Sequence, residues 1–334
     1  MINLMLNTNR RTEFTKSILQ KIRLRYLSTK DIRRFSKNAA FSVFDNSFDQ
    51  LSARIMYNVH AIEKGLARSQ NFRPGFGKKA LSQLNDTLVV YERSGFDTHL
   101  YPYIQGRSII SKYASYHESL GEDVKFLEDI ISPEYLKTEE YNSLAGVKTI
   151  FKKDKIENRN KNFLELSSGR SSIREFSGKP IDEKKIIEAL SIAEKTPSVC
   201  NRQGWKVYYV KEKNKISKLL EFQKGFKGYS NLPEAVLVIG VTNSSFLSPV
   251  ERNEAFVDGG LFAMSVLYGL EYEGLAAVAL NAMMNSKDED AIRLLLGIPS
   301  SVQLTLFIAV GDMSEEVKVP ASDRRCVEEF MTII

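Results

Sequence analysis

The chain has 334 residues, 43% of them hydrophobic and 26% charged, too apolar for a disordered polypeptide and long enough for about two domains. Its longest apolar stretch, residues 259–270, is interrupted by Glu271 and Glu273, well short of the about 18–20 residues that span a bilayer. Basic residues follow the MINLML start, so no signal-like apolar segment forms; Cys200 and Cys326 lie far apart, with no CxxC and no HxxxH, which argues against a zinc site or disulfide scaffold and fits a reducing cytoplasm.

The net charge of +6 is unevenly placed, with +8 in residues 1–42 and −2 in the rest. Within this arm Phe14, Ile18, Leu19, Ile22, Leu24, Tyr26 and Leu27 recur near helical spacing, predicting a basic amphipathic helix. Such a helix packs its apolar stripe on the rest of the protein, or lies on an anionic membrane surface or an acidic partner. The first reading is preferred. Nucleic acid ranks behind both, because no recognised binding motif accompanies the charge.

Residues 43–146 read as a helical region. Ala53, Met56, Val59 and His60 share a face of a segment ending near Gly65. Residues 71–77 (NFRPGFG) form a rigid loop, and helical spacing resumes over Lys78–Arg93 and Tyr101–Leu120. Residues 147–162 turn polar and read as a linker with little to bury. Beyond them helices and strands alternate over 163–334. Asp182 is placed to cap a helix, Trp205–Val210 and Ala235–Val241 read as strands, and Glu254–Tyr272 is long enough for a buried helix with Phe256, Leu261, Met264, Leu267 and Leu270 on its apolar side. Leu275–Leu280 follows as a strand, Asp288–Leu296 as a helix and Val302–Val310 as a final strand. The alternation argues a layered domain of sheet and helices.

Two segments carry chemistry. Residues 168–180 read SGRSSIREFSGKP, with Arg170 and Arg174 four apart and Ser172 between them. One helical turn would set both guanidinium groups on one side, a pair of forks suited to a phosphate dianion; the plainer reading is a solvated basic helix face. Residues 196–205 read TPSVCNRQGW, a loop of small and amide residues able to offer hydrogen bonds to a planar heteroaromatic edge such as a flavin. The plainer reading here is an ordinary helix–strand loop with Trp205 in the core.

Taken in order, RSSIREF and then PSVCNRQGW resemble the FMN-dependent nitroreductase family. Further matches follow in sequence: Asp258-Gly-Gly with its apolar helix, GLAAVALN at 274–281, Gly311-Asp312, and RRCVEE at 324–329. The resemblance covers 163–334. It implies an α+β fold, a mixed sheet flanked by helices, in a homodimer with two flavin sites built from both chains. It implies that Arg170, Ser172, Arg174 and Arg324 bind the FMN phosphate. Ser198, Cys200, Asn201 and Gln203 would line the ribityl chain and ring, with Leu280 and Asn281 near the reactive edge. The activity implied is hydride transfer from NADH or NADPH through flavin to a small organic acceptor. Gly204 stands where the family usually has Pro, and Ala276 and Ala282 where Gly is frequent, departures that bear on the substrate more than the cofactor.

The N-terminal half adds HAIEKGL at 60–66, followed by RPGFG at 73–77, similar to extensions on nitroreductase-like proteins of surface-polysaccharide biosynthesis. Either His60, Glu63 or Lys64 reaches the flavin pocket, or, as preferred, the group is a helix end with local ion pairing. Asp97, His99 and His117 belong to no recognisable constellation. The alternative to an enzyme is a flavin-binding or catalytically silent scaffold docked through the basic arm to a membrane surface or biosynthetic partner. Location is expected to be cytoplasmic, including the inner face of the membrane.

Overall fold

Three hydrophobic cores organise the chain in the computed structural model, which describes residues 2–41, 46–136, 145–229 and 231–334, with side chains from residue 14 onward. Of the expected helical region, residues 43–45 and 137–144 lie outside the described residues.

Helix α1 (Ile2–Asn38) runs along the surface. Its Asp31 carboxylate accepts from Arg252 Nε at 2.7 Å and Asn253 Nδ2 at 3.3 Å. Of the expected stripe, Phe14, Ile18, Leu19, Ile22, Leu24 and Tyr26 remain 40–68% exposed, and Leu27 is half-buried. The preferred packing of this stripe on the body is therefore met only toward Leu24 and Leu27: the anchored side of α1 carries Asp31, and the ladder Phe14, Ile18, Ile22 and Tyr26 stays exposed.

Helices α2 (Phe48–Leu66), α3 (Lys78–Arg93), α4 (Tyr101–Ser119) and the short α5 (Leu127–Ile130) enclose the first core. Ser47 and Gln50 form a reciprocal capping box that starts α2. The buried stripe of α2 is Leu51, Ile55, Val59, Ile62 and Leu66, at the 3–4 spacing of a helix face. Ala53, Met56 and His60 therefore sit on a different face from Val59, away from the core. His117 is fully buried: Tyr113 stacks on it at 4.0 Å, its Nδ1 lies 2.8 Å from the Tyr113 carbonyl, and its Nε2 accepts from Gly75 N–H at 3.2 Å. It thus pins the 71–77 loop.

The polar stretch 147–162 is folded, not a linker. Strand β1 (Val147–Phe151) and helix α6 (Lys153–Ile156) lie within it. Lys155 and Asn158 are buried against Glu271, with Asn158 Nδ2 donating to its carbonyl at 2.5 Å and to Oε1 at 3.2 Å. Polar residues here bury by pairing with one another.

After α7 (Phe163–Gly169) come α8 (Glu183–Ala193), β2 (Trp205–Val210), α9 (Lys213–Gln223), β3 (Ala235–Thr242), α10 (Glu254–Tyr272), β4 (Ala276–Asn281), α11 (Ser286–Leu296), β5 (Val302–Gly311) and β6 (Glu316–Pro320). Asp182 caps α8 by accepting from Lys184 N–H at 3.0 Å. The main sheet runs β2-β3-β5-β4, while β1 pairs with β6 in a separate ribbon. The α+β class with flanking helices stands, and every one of these pairings is antiparallel. The strand expected last, β5, is followed by β6, whose partner lies about 170 residues earlier in the register Val147 to Pro320.

The apolar runs of the central strands follow from burial on both faces. In β3, Val236 and Val238 join the core under α9 and α11, and Leu237 and Ile239 join the core under α8 and α10. Gly269 lets α10 approach α8 closely, since a Cβ there would fall 2.4 Å from the Ala189 carbonyl oxygen. Phe256, Leu261 and Met264, expected to be buried, are 37–46% exposed, and Val257 beside them is 52% exposed. Only the opposite side of α10, with Phe262, Ala263, Val266 and Leu270, meets the sheet.

Candidate functional site

Where α7 ends, the chain leaves helical geometry. Arg170 takes extended backbone (φ −62°, ψ 126°), and residues 171–175 continue without helix. The helical-turn geometry expected for Arg170 and Arg174 is thus replaced by an extended one, in which alternate residues share a side. Ile173 N–H bonds the Ala277 carbonyl at 3.0 Å, and Ile173 and Phe176 anchor in the core. Arg170, Ser172 and Arg174, together with Ser171, line the same space.

That space is a cavity of about 480 Å³. From 163–334 it takes Arg170, Ser172, Arg174, Ala279, Ser322 and Arg324, and from the preceding half Met56, His60, Glu63 and Lys148. Cations dominate it. The Arg174 Nε and Nη1 atoms are buried and find no hydrogen-bond partner among the described residues. Burial pushes the Arg174 guanidinium below its usual pKa. Burial, then the charges of Arg324 and Arg170, push Lys148 down, and burial, then Arg174 and Arg68, do the same to Lys64. Arg174 and Lys148 are held where their charge is disfavoured, a state that an anion in the cavity would relieve.

Arg324 is exposed at the rim, with Nη1 donating to the Ser322 carbonyl and, at 3.3 Å, to that of Asp323. His60 and Glu63 form the local pair expected of their segment, with His60 Nδ1 3.8 Å from Glu63 Oε2, and both line the cavity. Lys148 had no signal beyond its place in a polar run.

The other expected residues do not line this cavity. In the 196–204 loop Cys200, Asn201 and Gln203 are exposed and all have positive φ, at 48°, 54° and 51°, an unusual concentration of strained backbone that clusters at functional loops. The loop is held by buried Asp258, whose Oδ1 accepts from Val199 N–H at 3.1 Å, and by Ser198 Oγ, which accepts from Gln203 N–H at 3.0 Å. Arg202 clamps Glu251 through both oxygens, at 2.6 and 3.1 Å. Trp205 stacks on Phe262 at 4.8 Å. Leu280 points into the core beneath α9 and α11, because strand alternation gives the cavity side to Ala279. Asn281 is exposed at the end of β4, its carbonyl accepting from Gln223 Nε2 at 3.1 Å. No cluster of His, Cys, Asp and Glu among the described residues is arranged to hold a metal ion, and no helix among them is long and apolar enough to cross a membrane.

Residues 168–226 match the Nitroreductase family model. A protein of Archaeoglobus fulgidus carrying the name NADH dehydrogenase/NAD(P)H nitroreductase is 26% identical over 162 residues, 48% of this chain and 91% of that one. Among solved structures, a nitroreductase-like protein of Streptococcus mutans aligns with 22% identity and a TM-score of 0.43, covering 52% of this chain and 98% of its own. A nitroreductase family protein of Clostridium difficile does so with 19% identity and a TM-score of 0.44, over the same shares.

Proposed function

We propose that the chain, whose residues 168–226 match the Nitroreductase family model, is an FMN-dependent oxidoreductase that uses NADH or NADPH to reduce a small organic acceptor. The observation that carries this reading is Arg174, whose buried Nε and Nη1 find no partner among the described residues, in a cavity shared with Arg170, Ser172, Lys148 and Arg324. Unpaired buried guanidinium donors cost free energy unless an anion completes them, and the donor set suits the three oxygens of a phosphate monoester. Bound there, FMN would supply the two-electron redox chemistry that no side chain of the site can. Arg170 and Arg174 bind the phosphate, Ser172 donates a hydroxyl and Arg324 closes the rim.

The protein acts as a homodimer in this reading. The exposed apolar side of α10 is the surface a second copy covers, and Ser198, Cys200, Asn201 and Gln203 stand beside it on the loop that Asp258 of α10 fixes. Those residues then serve the second copy's flavin, with Leu280 contributing backbone, not side chain, and Asn281 standing at the strand end. The strained loop turns its polar groups outward, an arrangement that suits hydrogen bonding to a flavin edge.

The test is direct. Purified protein should be yellow or take up FMN, and its flavin absorbance should bleach anaerobically with NADH or NADPH. Arg174→Ala should weaken FMN binding about 10- to 150-fold, the worth of 1.5–3 kcal/mol in charged hydrogen bonds. Colourless protein that ignores FMN overturns the reading.

A second reading concerns α1. Its outward ladder of Phe14, Ile18, Ile22 and Tyr26 lies among cations whose one described acidic neighbour on the helix, Asp31, is engaged with Arg252. That pattern fits docking on an anionic membrane surface at the cytoplasmic face. Salt-sensitive sedimentation with phosphatidylglycerol vesicles, lost on deleting residues 1–42, would support it; equal recovery with neutral vesicles would remove it.

A further inference from the structure

Glu63 is an anion at the edge of a cavity built for one. Its side chain is 2% exposed, yet no Lys or Arg forms an ion pair with it among the described residues. Its partners are mainly backbone: Oε1 accepts from Gly146 N–H at 3.1 Å and from Ser322 N–H at 3.3 Å, and Oε2 takes the Ser322 hydroxyl at 3.5 Å. Gly146 leads into β1, which carries Lys148, and Ser322 follows β6, which leads to Arg324. One carboxylate on α2 thus grips the entry and exit of the two-stranded ribbon whose ends bring two cations to the cavity.

Ser322 shows why a grip is needed. It has φ 46°, a left-handed conformation that is unfavourable for a non-glycine residue and persists where surroundings enforce it. Its carbonyl, turned by that conformation, accepts from Arg324 Nη1. On the next residue, the Asp323 carbonyl accepts from Tyr101 Oη at 2.5 Å. The helical region therefore holds this turn at two consecutive residues, and Arg324 folds onto the turn so held.

We infer that Glu63 is a positioning residue for the anion cavity: through Ser322 it sets the backbone turn that presents Arg324, making the N-terminal helical region part of cofactor binding. The inference rests on the cavity being the FMN phosphate site. It goes beyond it in assigning the control of Arg324 to a helix outside the family-matched segment.

Two measurements test it in the full chain. Hydrogen exchange without FMN reads the grip itself: Glu63→Gln should speed exchange of the Ser322 amide at least about tenfold, the loss expected for one charge-assisted bond to a buried group, while amides in the β3 and β5 strands stay unchanged. An unaltered Ser322 amide overturns the inference whether or not flavin binds. FMN titration reads the consequence. Glu63→Gln and Arg324→Ala should each weaken binding, and the double variant should match Arg324→Ala within about twofold, as coupled groups do. Losses that multiply would show Glu63 acting generally on stability and would overturn it. If Glu63→Gln does not fold, Tyr101→Phe frees the same turn from its other side, and its loss must likewise vanish in the Arg324→Ala background. Wild-type protein that takes up no FMN would defeat the cofactor reading, leaving the exchange result to decide on Glu63.

Discussion

Helices α4 and α10, each 19 residues long, lie at the centres of their regions and meet solvent in opposite ways. The α4 sequence is the more polar, with Gln105, Arg107, Ser108, Ser111 and His117, yet all five are buried. Arg107 reaches the Glu134 carbonyl at 2.8 Å and the Tyr103 hydroxyl at 3.0 Å. The apolar α10 leaves Phe256, Val257, Leu261 and Met264 in solvent along one side. Hydropathy along a helix therefore does not decide how much of it is covered. The helical region buries polar groups such as Arg107 and His117 on hydrogen-bond partners of its own, whereas the sheet domain leaves one apolar side of α10 exposed.

The largest expected effect breaks that contrast at its open side. Leu261→Arg should leave the monomer folded, since the residue is already half-exposed, while weakening self-association at least about 100-fold by burying an unpaired charge. Light scattering with size-exclusion chromatography reads it. Unchanged mass, or a wild-type protein already monomeric at high concentration, would show that α10 faces no second copy.

A smaller effect separates the two helices at their glycines. On α10, a Cβ at Gly269 meets Ala189 backbone atoms at 2.4 and 2.8 Å, which cannot move without shifting α8. On α4, a Cβ at Gly106 meets the ends of Leu88 and Ile55 at 2.9 and 3.1 Å, side chains able to yield. Gly269→Ala should therefore cost about 1–3 kcal/mol of stability through overpacking. Gly106→Ala should come out within about 1 kcal/mol of neutral, because the helix gains about that much from replacing glycine. Denaturant melts of the two variants side by side check the ordering, and equal losses would refute the distinction.

The same contrast explains what could be read from the chain beforehand. Strand β3 and helices α3 and α10 were legible because burial imposes a period or a continuous apolar run on neighbouring residues. Strand β6 was not: it pairs only with β1, across the whole sheet domain, and local pattern carries no trace of so distant a partner. The cationic cavity was legible in its residue types, Arg170, Ser172, Arg174 and Arg324, but not in its geometry, because the end of α7 converts an expected helical turn into extended chain. Lys148 and Glu63 enter from outside that segment. For Glu63 there was one usable signal, a carboxylate adjoining Ile62 on the core side of an amphipathic helix, which must find donors if buried. The exposed ladder on α1 shows the converse, a helical period that identifies the element without saying which side is anchored.

The smallest effect lies beside α10, where the 196–204 loop is clamped by Arg202 and Glu251. The Arg202 guanidinium first, and then the Leu247 amide at 2.6 Å, pull the Glu251 carboxyl down from its ordinary 4.5 to about 2. A lowered carboxylate stabilises the fold above its unfolded pKa and loses that contribution as protonation sets in. The clamp should therefore be whole above about pH 4.5 and released as pH falls toward about 2. Trp205, the one tryptophan in the chain, reports on it, since it stacks on Phe262 of α10 and donates to the Asp258 carbonyl at 3.3 Å. Its fluorescence should shift within that window in the wild type. Glu251→Gln should show the shifted signal already at neutral pH and lack the acid step. Superimposable titrations of the two proteins would mean that Asp258 alone holds the loop, and that the open side of α10 does not depend on the clamp.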